Sequence, residues 1–421
     1  MQSDKSAESV LNAASSRHRL GARPVETVRA LDGQPLAANS RACVLTSVHP
    51  PFDVRIFHKE CKSLAAAGYD VTLLGPCTHD QVVDGIRLRA APKGRNRFER
   101  LTRTFWNMYR QAVREDADIY HFHDPELIPI GLALRLRGKK VIYDVHEDLP
   151  RCMPYKPYLP KWLGKSAARI VEVLENSVCR FFSGLVTATP GIAARFYRLN
   201  SRTVVVHNYP LMTELASMPN RPWESRETTI AYVGSAVSVQ RGALEMVRAM
   251  GLLPDDLEAS LALAGPFSPP NLQDTLAKEP GWNRVRVCGV LDRAGVAGVL
   301  SRASAGFVLQ HPEPNAMAGK PIKLFEYMAA GIPVISADFP VWRQIVEGAG
   351  CGFCVDPLNP GQISLAIRYL FTHPREAEAM GRCGRRAIEE HFNWDRETRK
   401  LLSLYGQLTK TSRPGDAMVA P

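Results

Sequence analysis

The sequence predicts an α/β protein with two Rossmann-like domains in tandem. Short apolar strands alternate with amphipathic helices along most of the 421 residues. The alternation stops around residues 210–228, where three prolines stand among polar residues, and then it resumes. Strands that alternate with helices form parallel sheets covered on both faces, and a proline-rich break between two such series indicates a linker.

The first series of strands begins near Arg41. RACVLTSV predicts a strand, VRIFHKECKSLAAAGY an amphipathic helix that ends at Gly68, and DVTLLG a second strand, which together make a βαβ unit. Later strands are predicted at DIYHFH, KKVIYDVH, GLVTAT and RTVVVHN, with helices at 98–114, 125–137, 160–182 and 190–199.

The second series follows the same rhythm. Its strands are predicted at TTIAYVG, ASLALAG, RVRVCG, AGFVLQ, IPVIS and CGFCVD, with helices near 241–252, 293–302, 321–330, 340–348, 360–371 and 375–390. The predicted organisation is a disordered tail at 1–40, a first domain at 41–212, a linker at 213–228, a second domain at 229–393, a helix at 394–409 that can cross back to the first domain, and a tail at 410–421.

The composition favours a cytosolic globular protein with an anionic partner. Hydrophobic residues make up 45% of the chain, and no run approaches the roughly 18 apolar residues of a membrane-spanning helix. The start of the chain lacks the apolar core of a secretory signal, and nine scattered cysteines fit reduced thiols better than disulfides. The 53 Lys and Arg residues exceed the 42 Asp and Glu residues by 11, which suggests contact with an anionic ligand or surface.

Three predicted strands of the first domain run into clusters of histidines and acids. These clusters lie in SVHPPFDVR, HFHDPE and YDVHEDLP. Ligands of open α/β sheets bind beyond the carboxyl ends of strands, although any one of these residues could equally be a solvated loop residue. The members considered for the site are Asp53, Arg55, His123, Asp124 and His146.

Glycines end the strands of the second domain instead, and they let a ligand approach the backbone closely. After Gly234, the stretch YVGSAVSVQRG places Arg241 at the start of a helix. That arrangement suits a diphosphate, while the alternative is an ordinary basic residue at a helix start. No GxGxxG follows a strand and no GxxxxGK[ST] occurs, so a nicotinamide cofactor and a P-loop are not supported.

The most specific motif is KLFEYMAAGIPVIS, residues 323–336, which reads as a helix, a glycine stop and a strand. In the helix, Glu326 turns away from the apolar face together with Lys323 and Ala330. With LAAAGYDVTLLG, HFHDP, YVGSAVSVQRG and CGFCVDPLNP, the motif resembles family 4 of the retaining, nucleotide-sugar-dependent glycosyltransferases. That family has the GT-B architecture, in which two Rossmann-like domains face each other across a cleft. The resemblance covers about residues 41–409.

The resemblance implies a donor held mainly by the second domain and an acceptor bound mainly by the first. Glu326 matches the glutamate that binds the ribose hydroxyls, and Arg241 matches the basic residue that neutralises the diphosphate. His123 matches the histidine near the reacting sugar, and with Asp124 it is the catalytic candidate. No metal or cofactor is implied, because such transfer depends on stabilising leaving-group charge. The remaining donor-binding candidates are Gly234, Ser235, Gly319, Lys320, Ile322 and Lys323.

Two positions depart from the family pattern, and the family's glycine-rich first loop is replaced by HPPFDVR. An acid often stands eight residues before Glu326, but this chain has Ala318, so Glu313 or Asn315 is the candidate to contact the donor sugar. A basic residue often follows the glycine of the second-domain loop, where this chain has Ser235. Lys323 either supplies the missing charge or forms a surface pair with Glu326.

Two basic segments that also carry aromatic residues suggest an anionic membrane surface. Residues 87–115 contain nine Arg or Lys against two acids, and residues 151–165 repeat the mixture. The alternative is a solvated helix whose aromatic residues face the core. Nucleic acid is not expected as a partner, because no recognition motif accompanies the charge.

The resulting hypothesis is an enzyme that transfers a sugar, with retention, from a UDP- or GDP-linked donor. The expected acceptor is a cell-envelope or exopolysaccharide glycan, lipid-linked acceptors included, at the inner face of the membrane. One alternative is a non-catalytic nucleotide-sugar-binding or scaffold protein of the same fold, suggested by Ala318 and Ser235. A less supported alternative is a nucleotide-sugar epimerase.

Overall fold

The computed structural model describes residues 40–91, 105–153, 161–212 and 221–410. These residues form two α/β domains, each built on its own largely parallel sheet, as the sequence predicts. Outside them lie nearly all of the two predicted tails, residues 213–220 of the predicted linker, and parts of both basic segments, at 92–104 and 154–160. Within the part of the chain that is described, no helix combines the length and hydrophobicity needed to cross a membrane.

The first sheet has eight strands in the order β3-β4-β2-β1-β5-β6-β7-β8. Every neighbouring pair is parallel except β3 with β4. The strand order reverses at β1, so the carboxyl ends of β1, β5 and β6 lie side by side. The strands are β1 Arg41–Leu45, β2 Asp70–Gly75, β3 Gln81–Val83, β4 Ile86–Ala90, β5 Ile119–Phe122, β6 Lys140–Val145, β7 Gly184–Thr187 and β8 Thr203–Val205.

The hairpin of β3 and β4 is absent from the prediction. Asp84 and Gly85 connect the two strands and both have positive φ angles, 53° and 77°. Two left-handed residues in an Asp-Gly pair make the turn that matches the twist of a hairpin. The turn signal is present in the sequence, but a strand of three residues is too short to show the alternation of apolar and polar residues.

The second sheet has six parallel strands in the order β11-β10-β9-β12-β13-β14. Its order reverses at β9, and ligands of such sheets bind where the order reverses. The strands are β9 Thr229–Val233, β10 Ser260–Ala264, β11 Val285–Gly289, β12 Ala305–Val308, β13 Val334–Ala337 and β14 Gly352–Val355.

Helices cover both sheets. In the first domain they are α1 Val54–Cys61, α2 Lys62–Ala66, α3 Phe105–Glu115, α4 Ile128–Leu136, α5 Leu149–Cys152, α6 Lys161–Cys179 and α7 Pro190–Phe196. In the second half of the chain they are α8 Ala243–Gly251, α9 Leu272–Leu276, α10 Arg293–Arg302, α11 Pro314–Ala318, α12 Ile322–Ala329, α13 Pro340–Ala349, α14 Pro360–Thr372, α15 Pro374–Glu390 and α16 Trp394–Lys410.

Helix α1 is a π-helix rather than the predicted amphipathic α-helix. The wider turn changes which residues share a face, and Arg55, Lys59 and Glu60 are all buried. Charged residues that an α-helical pattern assigns to solvent therefore lie inside the first domain. A π-helical segment in a protein frequently marks a functional site.

Helix α16 packs on the first domain. Its residues Trp394, Leu401 and Tyr405 share a buried core with Val44 of β1. The indole N–H of Trp394 also donates to the hydroxyl of Ser63 at 2.9 Å. The chain therefore returns to the sheet with which it began.

Candidate active site

The polar clusters that follow β1, β5 and β6 meet at one edge of the first sheet. The three strands are parallel neighbours, so their carboxyl ends are adjacent. His123 and Asp124 follow β5, His146 follows β6, and the loop after β1 carries His49 and Asp53. The structure thus brings the predicted first-domain residues together.

Arg55 lies at the buried centre of this cluster. Its Nε and Nη2 atoms donate to Asp144 at 3.1 and 2.9 Å, and Nη1 donates to the carbonyl of Val206 at 3.0 Å. Nε also lies 3.0 Å from Oε1 of Glu60. Arg55 was expected near the acceptor, but these contacts turn its guanidinium toward two buried carboxylates.

The pKa values of the two carboxylates beside Arg55 are shifted in opposite directions. Burial alone raises the pKa of Asp144, but the Arg55 guanidinium and His146 lower it well below its ordinary value. Burial and the neighbouring Asp144 charge raise the pKa of Glu60 well above its ordinary value. Arg55 and His146 thus favour the ionised form of Asp144, and the Asp144 charge in turn favours the protonated form of Glu60.

His123 lies inside the same network. Its Nδ1 is 3.1 Å from Nε2 of His146 and 3.4 Å from Oδ2 of Asp144, while its Nε2 is 3.6 Å from Oε2 of Glu60. Burial lowers the pKa of His123, so its ring is neutral at pH 7. The side chain of His146 is 21% exposed and that of His123 is fully buried. A ligand at this edge would therefore meet His146 before His123.

Asp124 and Asp53 both accept hydrogen bonds from backbone N–H groups. Asp124 accepts from the N–H of Ser47 at 2.6 Å and from the hydroxyl of Thr46 at 2.8 Å, which fixes the loop after β1. Asp53 caps α1 by accepting from two N–H groups of its first turn, at 2.8 and 3.0 Å. His49 lies 3.6 Å from Asp53 and 3.5 Å from Asp124, and its bond to Asp53 raises the pKa of His49.

A metal site could be assembled from four buried side chains, Glu60, His121, His123 and Asp144, whose donor atoms lie within 4.8 Å of one another. The guanidinium of Arg55 already compensates both carboxylates of this group. A divalent ion would therefore have to share them with an adjacent positive charge, which opposes binding. Metal-independent transfer stays a prediction.

In the second domain, Glu326 is held by a cation from another helix. Its Oε1 accepts from Nη1 of Arg293, the first residue of α10, at 2.9 Å. The Glu326 side chain is only 17% exposed. Tyr327 and Ala330 are buried, so the buried face of α12 is wider than predicted. The prediction that Ala330 turns away from the core together with Glu326 is therefore wrong. Arg293 orients the carboxylate that is expected to bind ribose.

Lys323, one turn before Glu326, points toward the end of β9. Its ammonium lies 3.9 Å from the centre of the Tyr232 ring, and a Cβ added to Gly234 would come within 3.0 Å of it. Burial and the nearby Arg241 lower the pKa of Lys323 to about 7, against an opposing effect of Glu326. An ammonium that has lost hydration in this way gains strongly from a bound anion.

Arg241 and Ser235 meet beside that lysine. Nη1 of Arg241 donates to Oγ of Ser235 at 3.0 Å, and Arg241 ends a short 3₁₀ turn just before α8. Gly265 directly follows β10 with a φ of 137°, and a Cβ there would lie 2.3 Å from the carbonyl oxygen of Gly234. Only glycine allows β9 and β10 to end so close together. The structure thus gathers Gly234, Ser235, Arg241 and Lys323 where the strand order reverses.

The other predicted donor contacts lie on the turn before α12 and at the first residue of α12. The carbonyl of Gly319 accepts from an indole N–H at 2.7 Å, and Ile322 is 41% exposed. Nζ of Lys320 lies 3.1 Å from both Nε2 of His207 and the hydroxyl of Tyr209, two residues that follow β8. The lysine therefore connects this turn to the end of the first domain.

Glu313 and Asn315 lie just before and within the short helix α11. Glu313 is exposed, and so is Ala318, which ends the helix. Their position precedes the Gly319 turn directly. A contact from Glu313 or Asn315 to a donor sugar stays a prediction.

The sequence-based prediction misses several residues of these networks, among them Glu60, Tyr232 and Arg293. Glu60 stands on the helix after β1, of which only Arg55 was considered for the site, and Tyr232 reads as an ordinary strand residue. Arg293 is 33 residues away from Glu326 along the chain. No local pattern predicts a contact over that separation. The available signal was that Arg293 is a basic residue at the start of a predicted helix.

Solved structures share this two-domain architecture. Sucrose-phosphate synthase from Thermosynechococcus elongatus superposes with a TM-score of 0.68 at 19% identity, over 89% of this chain and 100% of that one. Anabaena HepE in complex with UDP-glucose gives a TM-score of 0.64 at 13% identity, over 88% and 99% of the two chains. The fold is therefore GT-B, as the resemblance implies.

Family models and a relative define the class further. A glycosyl transferase 4-like domain matches residues 54–209, and the glycosyl transferases group 1 family matches residues 216–387. Glycogen synthase from Mycobacterium tuberculosis is 22% identical over 398 residues, which cover 84% of this chain and 91% of that protein. The chain belongs to the group 1 glycosyltransferases and is an enzyme that transfers glycosyl groups.

Proposed function

We propose that this enzyme transfers a sugar, with retention, from a UDP- or GDP-linked donor bound by the second domain. The observation that carries the proposal is the arrangement at the end of β9. There Arg241 and Lys323 lie beside Gly234, and Glu326 follows one turn along α12. Two cations suit a diphosphate, and a carboxylate suits the neighbouring hydroxyls of a ribose.

A related structure supports the choice of donor class. HepE, which shares the GT-B fold, was solved in complex with UDP-glucose. The glycine at the end of β9 leaves room for a ligand to approach the backbone. A nucleoside diphosphate sugar is the ligand class that these features fit together.

Stabilisation of the leaving group supplies most of the rate in this proposal. Negative charge develops on the diphosphate as its bond to the sugar breaks, and the Lys323 ammonium and Arg241 guanidinium stabilise that charge. At the edge of the first sheet we expect His146, which is 21% exposed, to meet the reacting sugars before the buried His123. A catalytic role of His123 and Asp124 stays a prediction. His123 and Asp144 lie behind His146 and hold its ring through contacts of 3.1 and 3.3 Å.

The proposed acceptor is a cell-envelope or exopolysaccharide glycan, lipid-linked acceptors included. A second candidate function is nucleotide-sugar binding without catalysis, which the alanine at position 318 favours. In that case a nucleotide would bind the second domain, but no donor would be consumed. An epimerase would release a free C2 epimer without any acceptor.

Replacing Glu326 by Ala is expected to weaken UDP or GDP binding by about 10- to 100-fold, because charge-assisted hydrogen bonds of about 1.5–3 kcal/mol are lost. Isothermal titration calorimetry measures the change, and circular dichroism checks that the variant is folded. The matched control is Glu347→Ala, which removes an exposed glutamate from α13. Unchanged nucleotide affinity in a folded Glu326→Ala protein would contradict the assignment of this carboxylate.

Helix α6 carries an exposed apolar surface that supports membrane association. Helix α6 exposes Ile170, Val173 and Leu174, which are 52–61% exposed and share one face at helical spacing. Phe181, just beyond the helix, is 58% exposed, and Nε of Arg135 donates to its carbonyl at 3.0 Å. Apolar side chains next to arginines suit the interface of an anionic bilayer. We propose that this stripe docks on the membrane that carries the acceptor.

Leu174→Glu is expected to lower binding to vesicles of phosphatidylcholine and phosphatidylglycerol by about tenfold, because an apolar contact is lost and a repelled charge is added. Cosedimentation measures the partition coefficient. Leu252→Glu, at a residue that is 60% exposed in the second domain, is the matched control. Equal binding of Leu174→Glu and wild type would exclude the stripe as a membrane surface. If wild type sediments as a dimer and Leu174→Glu as a monomer, the stripe mediates self-association instead.

A further inference from the structure

The turn at residues 319–322 leads into α12 and comes just before Lys323 and Glu326. Its first residue, Gly319, accepts a hydrogen bond at its carbonyl from Nε1 of Trp342, a fully buried residue of α13, at 2.7 Å. This contact fixes the turn from within the second domain. A second contact fixes it from outside that domain.

The second contact is made by Lys320, whose ammonium is directed at two residues that follow β8. Its Nζ lies 3.1 Å from Nε2 of His207 and 3.1 Å from the hydroxyl of Tyr209. The two aromatic rings are stacked, with centroids 4.8 Å apart and an interplanar angle of 18°, so both acceptors face the ammonium. The turn is therefore tied to the segment by which the chain leaves the first domain.

The contact with Lys320 requires a neutral ring at His207. An ammonium donates hydrogen bonds and accepts none, so Nε2 of His207 accepts and Nδ1 carries the hydrogen. Nδ1 lies 3.5 Å from Oε2 of Glu397 in α16, and the same oxygen accepts from the backbone N–H of His207 at 2.9 Å. The other oxygen of Glu397 accepts from Nζ of Lys400 at 2.7 Å. Glu397 thus holds the ring in the orientation that Lys320 needs.

Helix α1 places two more cations along the same segment. Nη1 of Arg55 donates to the carbonyl of Val206 at 3.0 Å, and Nζ of Lys59 donates to Oδ1 of Asn208 at 2.5 Å. These two acceptors stand directly before and after His207 in the chain. Protonation of His207 would therefore add a positive charge where cations already outnumber carboxylates, and it would remove the acceptor at Nε2.

We propose that His207 and Glu397 are positioning residues of the donor site, which hold the turn at residues 319–322 through Lys320. This role rests on the proposed function, because it assigns the donor to the residues that follow the turn. It makes Lys320 the connection between the turn and the first domain, in place of a direct contact with the donor.

Hydrogen exchange of the free, full-length enzyme, followed by mass spectrometry, tests the positioning itself. In His207→Leu the acceptor is lost, so the amides of residues 319–324 are expected to exchange about tenfold faster at pH 7. His207→Gln should keep the wild-type exchange, because its amide oxygen can accept from Lys320. His79→Leu, at an exposed histidine of the first domain, is the matched control and should exchange as wild type does. Lys320→Met removes the donor of the same contact and should match His207→Leu, which keeps the test decisive if His207→Leu does not fold.

Isothermal titration calorimetry with UDP-glucose and GDP-mannose tests the consequence for the donor. At pH 7, His207→Leu should weaken binding by about tenfold, while His207→Gln and His79→Leu should bind as wild type does. Burial lowers the pKa of His207 against an opposing bond to Glu397, so the ring gains a proton only as the pH falls. The affinity of wild type should therefore decrease from pH 7 to pH 5, and that of His207→Gln should decrease less. A histidine that only fills space would not produce this difference.

The outcomes separate this inference from the proposed function. Wild-type exchange of residues 319–324 in both His207→Leu and Lys320→Met overturns the inference, whatever the nucleotide sugars do. Tighter donor binding by His207→Leu also overturns it, since Lys320 would then be a direct donor contact that His207 restrains. An equal loss of affinity at pH 5 in wild type and His207→Gln contradicts the need for a neutral ring. If exchange responds as expected but neither nucleotide sugar binds wild type, the hold on the turn stands and the proposed function fails.

Discussion

Replacing Lys323 by Met is expected to lower the rate of sugar transfer by about 100- to 1,000-fold, because one preorganised charge that stabilises the leaving group is lost. The fold should survive, since methionine fills the space of the lysine stem against Tyr232 without burying a charge. Release of UDP or GDP from the donor measures the rate, and thermal unfolding measures the stability. Lys278→Met, at an exposed lysine of the second domain, should retain wild-type activity.

The pH dependence gives this prediction a second readout. The pKa of Lys323 is about 7 in the free enzyme, so the fraction of charged ammonium falls as the pH rises above that value. A bound diphosphate favours the charged form, so binding should take up a proton and the affinity for UDP should decrease from pH 7 to pH 9. Lys323→Met should remove both effects. A Lys323→Met enzyme with wild-type rate and pH profile would show that this lysine does not contact the diphosphate.

Replacing Arg55 by Ala is expected to reduce the free energy of unfolding of the first domain by about 3–5 kcal/mol, because it leaves buried charge without its partner. Arg55 holds Asp144 through two hydrogen-bonding atoms and contacts Glu60, and all three side chains are almost fully buried. Urea unfolding followed by circular dichroism measures the loss. Adding Asp144→Asn to the variant should recover part of it, since the unpaired charge is then removed.

A surface pair provides the control for Arg55. Nη1 of Arg87 lies 2.5 Å from Asp70, but the two side chains are 33% and 42% exposed. Arg87→Ala is therefore expected to cost about 0–1 kcal/mol. If Arg55→Ala costs no more than Arg87→Ala, the buried network does not hold the edge of the first sheet together.

The sequence was sufficient for features that depend on local patterns. The alternation of strands and helices predicts both sheets, and the motif around Glu326 predicts α12 and its strand. The carboxyl ends of parallel neighbours meet in any such sheet, so the gathering of His123, Asp124 and His146 was predictable as well. These features can be predicted from the spacing of the apolar residues and from the direction in which parallel strands run.

Other features depend on tertiary contacts that no local pattern contains. The π-helical turn of α1 moves Glu60 inward, although its spacing reads as part of an amphipathic α-helix. The pair of Glu326 with Arg293 requires that two helix starts lie side by side. The burial of His123 also depends on tertiary contacts. Its motif points to the site, but its position behind His146 depends on how β5 and β6 pack.

Donor turnover is the measurement that tests the central claim most directly. Wild type and Lys323→Met are incubated with UDP- and GDP-linked sugars, with and without membrane extract as the source of acceptor, and the released nucleoside diphosphate is quantified. The account predicts that wild type releases UDP or GDP from at least one donor, faster with the extract, and that Lys323→Met does so at least about 100-fold more slowly. Binding of a nucleotide sugar without release or transfer from any donor, or release of a free C2 epimer without acceptor, would contradict it.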